Sequence, residues 1–146
     1  MTAEPLIILL VEDDEGHAEL IRLNLGRAHV LNEIVHLPDG QAALDYIRRE
    51  GAHADRPQGA LLILLDINMP RLDGIETLRQ LKTDPKTAKI PVIMLTTTDD
   101  PREIARCYEL GCNVYITKPV EYDGFCDALR ELGVFLQFVR IPHEAE

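Results

Sequence analysis

Asp66 closes an apolar run, Leu62-Ile63-Leu64-Leu65, and Pro70 stops the chain four residues later. Uninterrupted apolarity fits a strand buried on both faces, as in a parallel sheet. Open α/β sheets place their crevice at the carboxyl ends of such strands, and packing gives no reason for an acid there. Glu12 and Asp13 close an earlier apolar run, Thr96 closes a third, and Lys118 follows a fourth. Brought to one sheet edge, three carboxylates repel one another, so either some are protonated or a cation sits among them. Oxygen-only ligands suit a hard ion such as Mg²⁺. With an ammonium and a hydroxyl beside it, such a site can bind and polarise a phosphoryl group. A carboxylate oxygen of Asp66 can then attack phosphorus and form an acyl phosphate. Acids at strand ends also simply cap helices, as Asp14 could, but a set spread over successive strand ends favours a shared pocket.

The elements that must position this set follow from the pattern of apolar residues. Strands are predicted at Leu6–Val11, Ile34–Leu37, Leu61–Asp66, Pro91–Thr96 and Asn113–Thr117. Between them, apolar residues recur at helical spacing: Ala18, Ile21, Leu25 and Ala28; Ala43, Leu44 and Ile47; Ile75, Leu78 and Leu81; Ile104, Cys107 and Tyr108. Asp39-Gly40 opens the second helix and Gly51 is its expected end, while Gly111 is expected to stop the fourth. Residues 51–60 read as an exposed loop. A last helix is expected from about Glu121 to Phe138, followed by a tail. Strands alternating with helices predict an α/β fold, a doubly wound parallel sheet with right-handed crossovers. Analogy with flavodoxin-like (βα)5 folds supplies the strand order 2-1-3-4-5.

The chain has 146 residues, suited to one domain, and 46% are hydrophobic, enough for a core. Its 25 acidic against 15 basic residues give a net charge of −10, which opposes contact with nucleic acid or anionic membrane. No apolar run approaches a membrane span, and no signal peptide is visible. Cys107, Cys112 and Cys126 are an odd number without metal-type spacing, so they read as small apolar fillers and point to a cytoplasmic compartment. His17, His29, His36, His53 and His143 are scattered and read as surface or loop residues. No G-x-G-x-x-G follows strand one and no G-K-[ST] is present, which disfavours a dinucleotide or nucleotide phosphate.

The ordered set Val11-Glu12-Asp13, Asp66-Ile67-Asn68-Met69-Pro70 with Asp73-Gly74, Leu95-Thr96-Thr97 and Tyr115-Ile116-Thr117-Lys118-Pro119 resembles the receiver domain of bacterial two-component response regulators. The resemblance covers residues 6–138, and it implies a single receiver domain over 1–146 with a short C-terminal tail and no output domain. It makes Asp66 the phosphoacceptor and Asp13 a direct Mg²⁺ ligand, with Asp14 as the competing position. Glu12 would act mainly through bound water, and Asn68 would give the metal its backbone carbonyl. Thr96 would be the switching hydroxyl, Lys118 the partner of the phosphoryl group, and Tyr115 the rotating aromatic. Thr97 stands where smaller residues are common, which would slow access of donors.

Narrower features resemble the response regulators that serve bacterial phytochromes. These are the long loop before strand three, the wording Asn68-Met69-Pro70-Arg71-Leu72-Asp73-Gly74, the Lys82-Thr83-Asp84-Pro85 end of helix three, and Thr96-Thr97-Thr98. They imply a light-regulated histidine kinase as partner. Val134 and Phe138, four apart and off the core stripe of the last helix, suggest a homodimer through helix four, strand five and helix five. Two other readings compete. A phosphorylation-independent adaptor on the same fold would be marked by loss of Asp66, Thr96 or Lys118, and all three are present. A phosphohydrolase would want an acid two residues after its nucleophile, where this chain has Asn68.

Overall fold

The computed structural model describes residues 6–50, 60–67, 69, 72–97, 99–119 and 121–138, with the backbone alone for 122, 137 and 138. Five strands alternate with five helices: β1 (Leu6–Val11), α1 (Glu15–Arg27), β2 (Ile34–Leu37), α2 (Gly40–Arg48), β3 (Ala60–Leu65), α3 (Gly74–Thr83), β4 (Val92–Thr96), α4 (Pro101–Leu110), β5 (Val114–Thr117) and α5 (Tyr122–Phe138). All strand pairs are parallel and the sheet order is β2-β1-β3-β4-β5, the order expected by analogy with flavodoxin-like folds.

The strand residues divide by a period of two. Ile7, Leu9, Val11, Leu61, Ile63, Leu65, Val92 and Met94 face a layer completed by Leu44, Ile47, Leu78, Leu81 and Cys107 of α2, α3 and α4. Ile8, Leu10, Leu62, Leu64, Ile93 and Leu95 face the other layer, with Ala18, Ile21 and Leu25 of α1 and Phe125, Leu129, Leu132 and Leu136 of α5. Burial on both faces explains why β1 and β3 are apolar throughout rather than alternating.

Aspartates start four of the five helices. Asp14, Asp39, Asp73 and Asp100 each accept a hydrogen bond from a backbone N–H of the first turn, at 2.8–3.0 Å. Each satisfies a donor that has no partner inside the helix. Gly111 ends α4 at φ 108°, a left-handed conformation open to glycine at no steric cost. The end of α2 differs from expectation. Arg49, not Gly51, takes the left-handed cap at φ 60°, and the following N–H of Glu50 bonds to the Asp45 carbonyl at 2.8 Å. Gly51 lies outside the described residues.

Candidate phosphoryl and metal site

Parallel strands in step deliver their carboxyl ends to one rim. Backbone bonds fix the register there. Glu12 N–H donates to the Leu37 carbonyl (3.0 Å), Asp66 N–H to Val11 (3.1 Å) and Lys118 N–H to Thr96 (2.7 Å). The side chains of Glu12, Asp13 and Asp66 converge, with one carboxylate oxygen from each lying within 4.8 Å of the other two. Glu12, Asp66, Thr96 and Lys118 are buried, whereas Asp13 is exposed. Asp14 points elsewhere: its Oδ1 takes the His17 N–H at 3.0 Å and caps α1.

Lys118 reaches into the acids. Its Nζ lies 2.9 Å from Glu12 Oε2 and 3.8 Å from Asp66 Oδ2. Burial is the largest influence on Glu12 and pushes its pKa up to about 7, with Asp66 adding to the rise and Lys118 opposing it. One ammonium facing three carboxylates leaves the pocket short of positive charge. Oxygen donors of this kind, half open to solvent through Asp13, fit a hard divalent cation that keeps several waters. Glu12, Asp13 and Asp66 could hold it. Asn68 lies outside the described residues.

Gly74 brings α3 against the floor of the pocket. Its N–H donates to Ile67 O at 2.9 Å, and a Cβ placed on it would lie 2.0 Å from the Asp66 carbonyl oxygen. A side chain at this position would force the Asp66 backbone to move.

Tyr115 is partly buried against the α2–α4 layer. Burial, with Cys107 and the acids Glu103, Asp66 and Asp99 nearby, pushes its phenol up to about 12. Of the two residues expected on the α5 surface, Val134 is half exposed and the Phe138 side chain lies outside the described residues. Phe135 is exposed beside Val134 and lines a cavity of about 280 Å³ with Ile93, Val114, Ile116 and Leu132. Phe135 was not singled out from sequence, because its helical phase falls between the core stripe and the outer face.

A family model described as the response regulator receiver domain matches residues 8–130. The chain belongs to the response regulator receiver domain family. A receiver domain from Rhodospirillum rubrum is 47% identical, with a TM-score of 0.87 over 96% of this chain and 99% of that one. The phosphorylated cyanobacterial phytochrome response regulator RcpA is 34% identical, with a TM-score of 0.86 over 97% and 99%. Response regulator Rcp1 is also similar. As the Synechocystis protein it is 38% identical over 78% of this chain and 77% of its own length. Its Mn²⁺-bound crystal structure gives a TM-score of 0.88 at 33% identity over 94% and 99%.

Two histidines of this receiver domain are not the plain surface or loop residues that their scatter suggests. His36 stands on β2 with Nε2 2.6 Å from the Glu12 carbonyl oxygen. His17, on the first turn of α1, has Nδ1 3.4 Å from Lys118 Nζ and 3.6 Å from Glu12 Oε1. The available signal was position: a residue on the first turn after a strand-end acid returns toward the same rim.

Proposed function

We propose that this receiver domain accepts a phosphoryl group on Asp66 from the phosphohistidine of a sensor histidine kinase. A carboxylate oxygen of Asp66 attacks phosphorus. The P–N bond breaks with its electron pair staying on the donor imidazole, leaving an acyl phosphate on Asp66. Glu12, Asp13 and Asp66 would hold Mg²⁺, with Asn68 as the further expected ligand. When bound, this ion neutralises charge on the phosphoryl oxygens. Lys118 pairs with the incoming group, and Thr96 supplies the hydroxyl that turns toward it. Tyr115 then repacks, and the surface of α4, β5 and α5 shifts between two populations.

The observation that carries this reading is the buried Lys118 ammonium set between Glu12 and Asp66. An adaptor that had abandoned phosphorylation would have no use for a buried lysine among carboxylates that repel one another. The role is that of a signalling switch, with self-catalysed phosphotransfer and slow autodephosphorylation. The likeness to RcpA, a phytochrome response regulator, supports a light-regulated kinase as donor. The reading extends to a cytoplasmic receiver domain that signals by protein contact or phosphorelay as a homodimer through α4, β5 and α5. The net charge of −10 argues against nucleic acid as target.

Incubation with acetyl phosphate and Mg²⁺, followed by intact mass, tests the core of the proposal. A slow gain of one phosphoryl that disappears in Asp66→Asn is expected. No gain favours the adaptor, and rapid consumption of the donor favours a hydrolase.

A further inference from the structure

Lys118 has more than carboxylates around it. Its ammonium sits 2.9 Å from Glu12 Oε2, 3.8 Å from Asp66 Oδ2 and 3.4 Å from His17 Nδ1. The last distance constrains the imidazole. A proton on Nδ1 would face the ammonium, and its own acceptor, Glu12 Oε1, lies at a long 3.6 Å. A bare Nδ1 instead accepts from the ammonium, which places the ring proton on Nε2. The same ring meets Phe125 of α5 edge-on, with centroids 5.8 Å apart at 80°. This contact fixes the plane in which Nδ1 can point. The backbone is held too, because His17 N–H donates to the Asp14 cap.

We propose that His17 is a positioning residue for Lys118. It supplies an imidazole nitrogen as acceptor and aims the ammonium along the Glu12 side of the pocket, without adding another negative charge to the acids. A carboxylate in its place would deepen the charge imbalance, and an apolar side chain would offer the ammonium no acceptor. The half-exposed imbalance of the pair is instructive: His17 is 41% exposed and the lysine side chain 2%. The contact thus runs from a buried ammonium to a ring that reaches solvent. Phe125 extends the connection, so the ammonium that meets the phosphoryl group is one ring away from α5.

The inference rests on the phosphoacceptor reading, and two measurements on the full chain separate their failures. Nitrogen-15 NMR of the unphosphorylated protein is expected to show His17 with Nδ1 bare and the proton on Nε2. A proton on Nδ1 overturns the proposal. Phosphorylation by acetyl phosphate with Mg²⁺ is the second measurement. His17→Leu keeps an apolar contact for Phe125 but offers no acceptor, and its rate is expected to fall about three- to tenfold, the worth of one hydrogen bond. His17→Asn sets an amide oxygen as many bonds from the backbone as Nδ1 and should restore most of the rate. A His17→Leu rate equal to wild type, or a His17→Asn as slow as His17→Leu, overturns the proposal. A wild-type chain that gains no phosphoryl sinks the phosphoacceptor reading instead, and the NMR result still decides how Lys118 is held.

Discussion

The phenol oxygen of Tyr108, on α4, accepts the backbone N–H of Tyr115, on β5, at 3.0 Å. β5 is an edge strand, and here its amide is held by a helix side chain. A half-exposed helix residue thereby ties α4 to the strand that carries the proposed switch aromatic. Tyr108→Phe removes the acceptor and keeps the ring. Exchange of the Tyr115 amide should accelerate about three- to tenfold, matching a bond worth about 1 kcal/mol, while amides of β1 and β3 keep their protection. Unchanged exchange at Tyr115 would mean that the bond does not hold the edge in solution.

Proton and cation compete for the acidic pocket. Glu12 has its pKa raised from an ordinary 4.5 to about 7 by burial. Between those values the native chain holds a proton that the unfolded chain has released. Stability in chelator should therefore fall as pH rises through this window. Mg²⁺ should oppose the fall, and titration calorimetry should give tighter binding above pH 7 than below it. Glu12→Gln should flatten the stability profile. A profile in chelator that is equally steep in Glu12→Gln would place the titrating group elsewhere.

Gly74 is required by contact rather than by backbone angle. Gly74→Ala puts a methyl group 2.0 Å from the Asp66 carbonyl oxygen, so α3 or the residues after β3 must retreat. Denaturant unfolding should show a loss of about 1–3 kcal/mol, as for overpacked sites. Phosphorylation of the folded fraction should slow as well, since the displaced backbone carries the proposed phosphoacceptor. Wild-type stability in this variant would contradict the close approach.

Val134 and Phe135 form an exposed apolar pair on α5. Sedimentation at micromolar concentration should show a dimer for the parent chain and a monomer for the double variant Val134→Asp, Phe135→Asp. A parent chain that sediments only as monomer removes this surface as the homodimer contact.

The strands were legible because both-face burial leaves continuous apolar runs, and Asp39 marked where α2 begins, while the strand order came by analogy. The pocket was legible because its members sit at strand ends, where a parallel sheet must gather them. Two things escaped. The α2 terminus lies at Arg49, because local hydrogen bonding offset the cost of a left-handed arginine before any glycine was reached. His17 escaped because its role depends on the direction of a ring wedged between Lys118 and Phe125, residues about a hundred positions away. Periodicity carries no information about such a meeting.

β3 holds Leu61, Ile63 and Leu65 toward one layer and Leu62 and Leu64 toward the other. The strand acts as a ruler that ends at Asp66. Exchanging one aliphatic residue for another leaves the reading on that ruler unchanged. Adding or losing a single codon would turn the acid to the opposite side of the sheet, away from its lysine. Mutation can thus exchange one aliphatic letter of this segment for another at a modest packing cost, but it cannot alter their number.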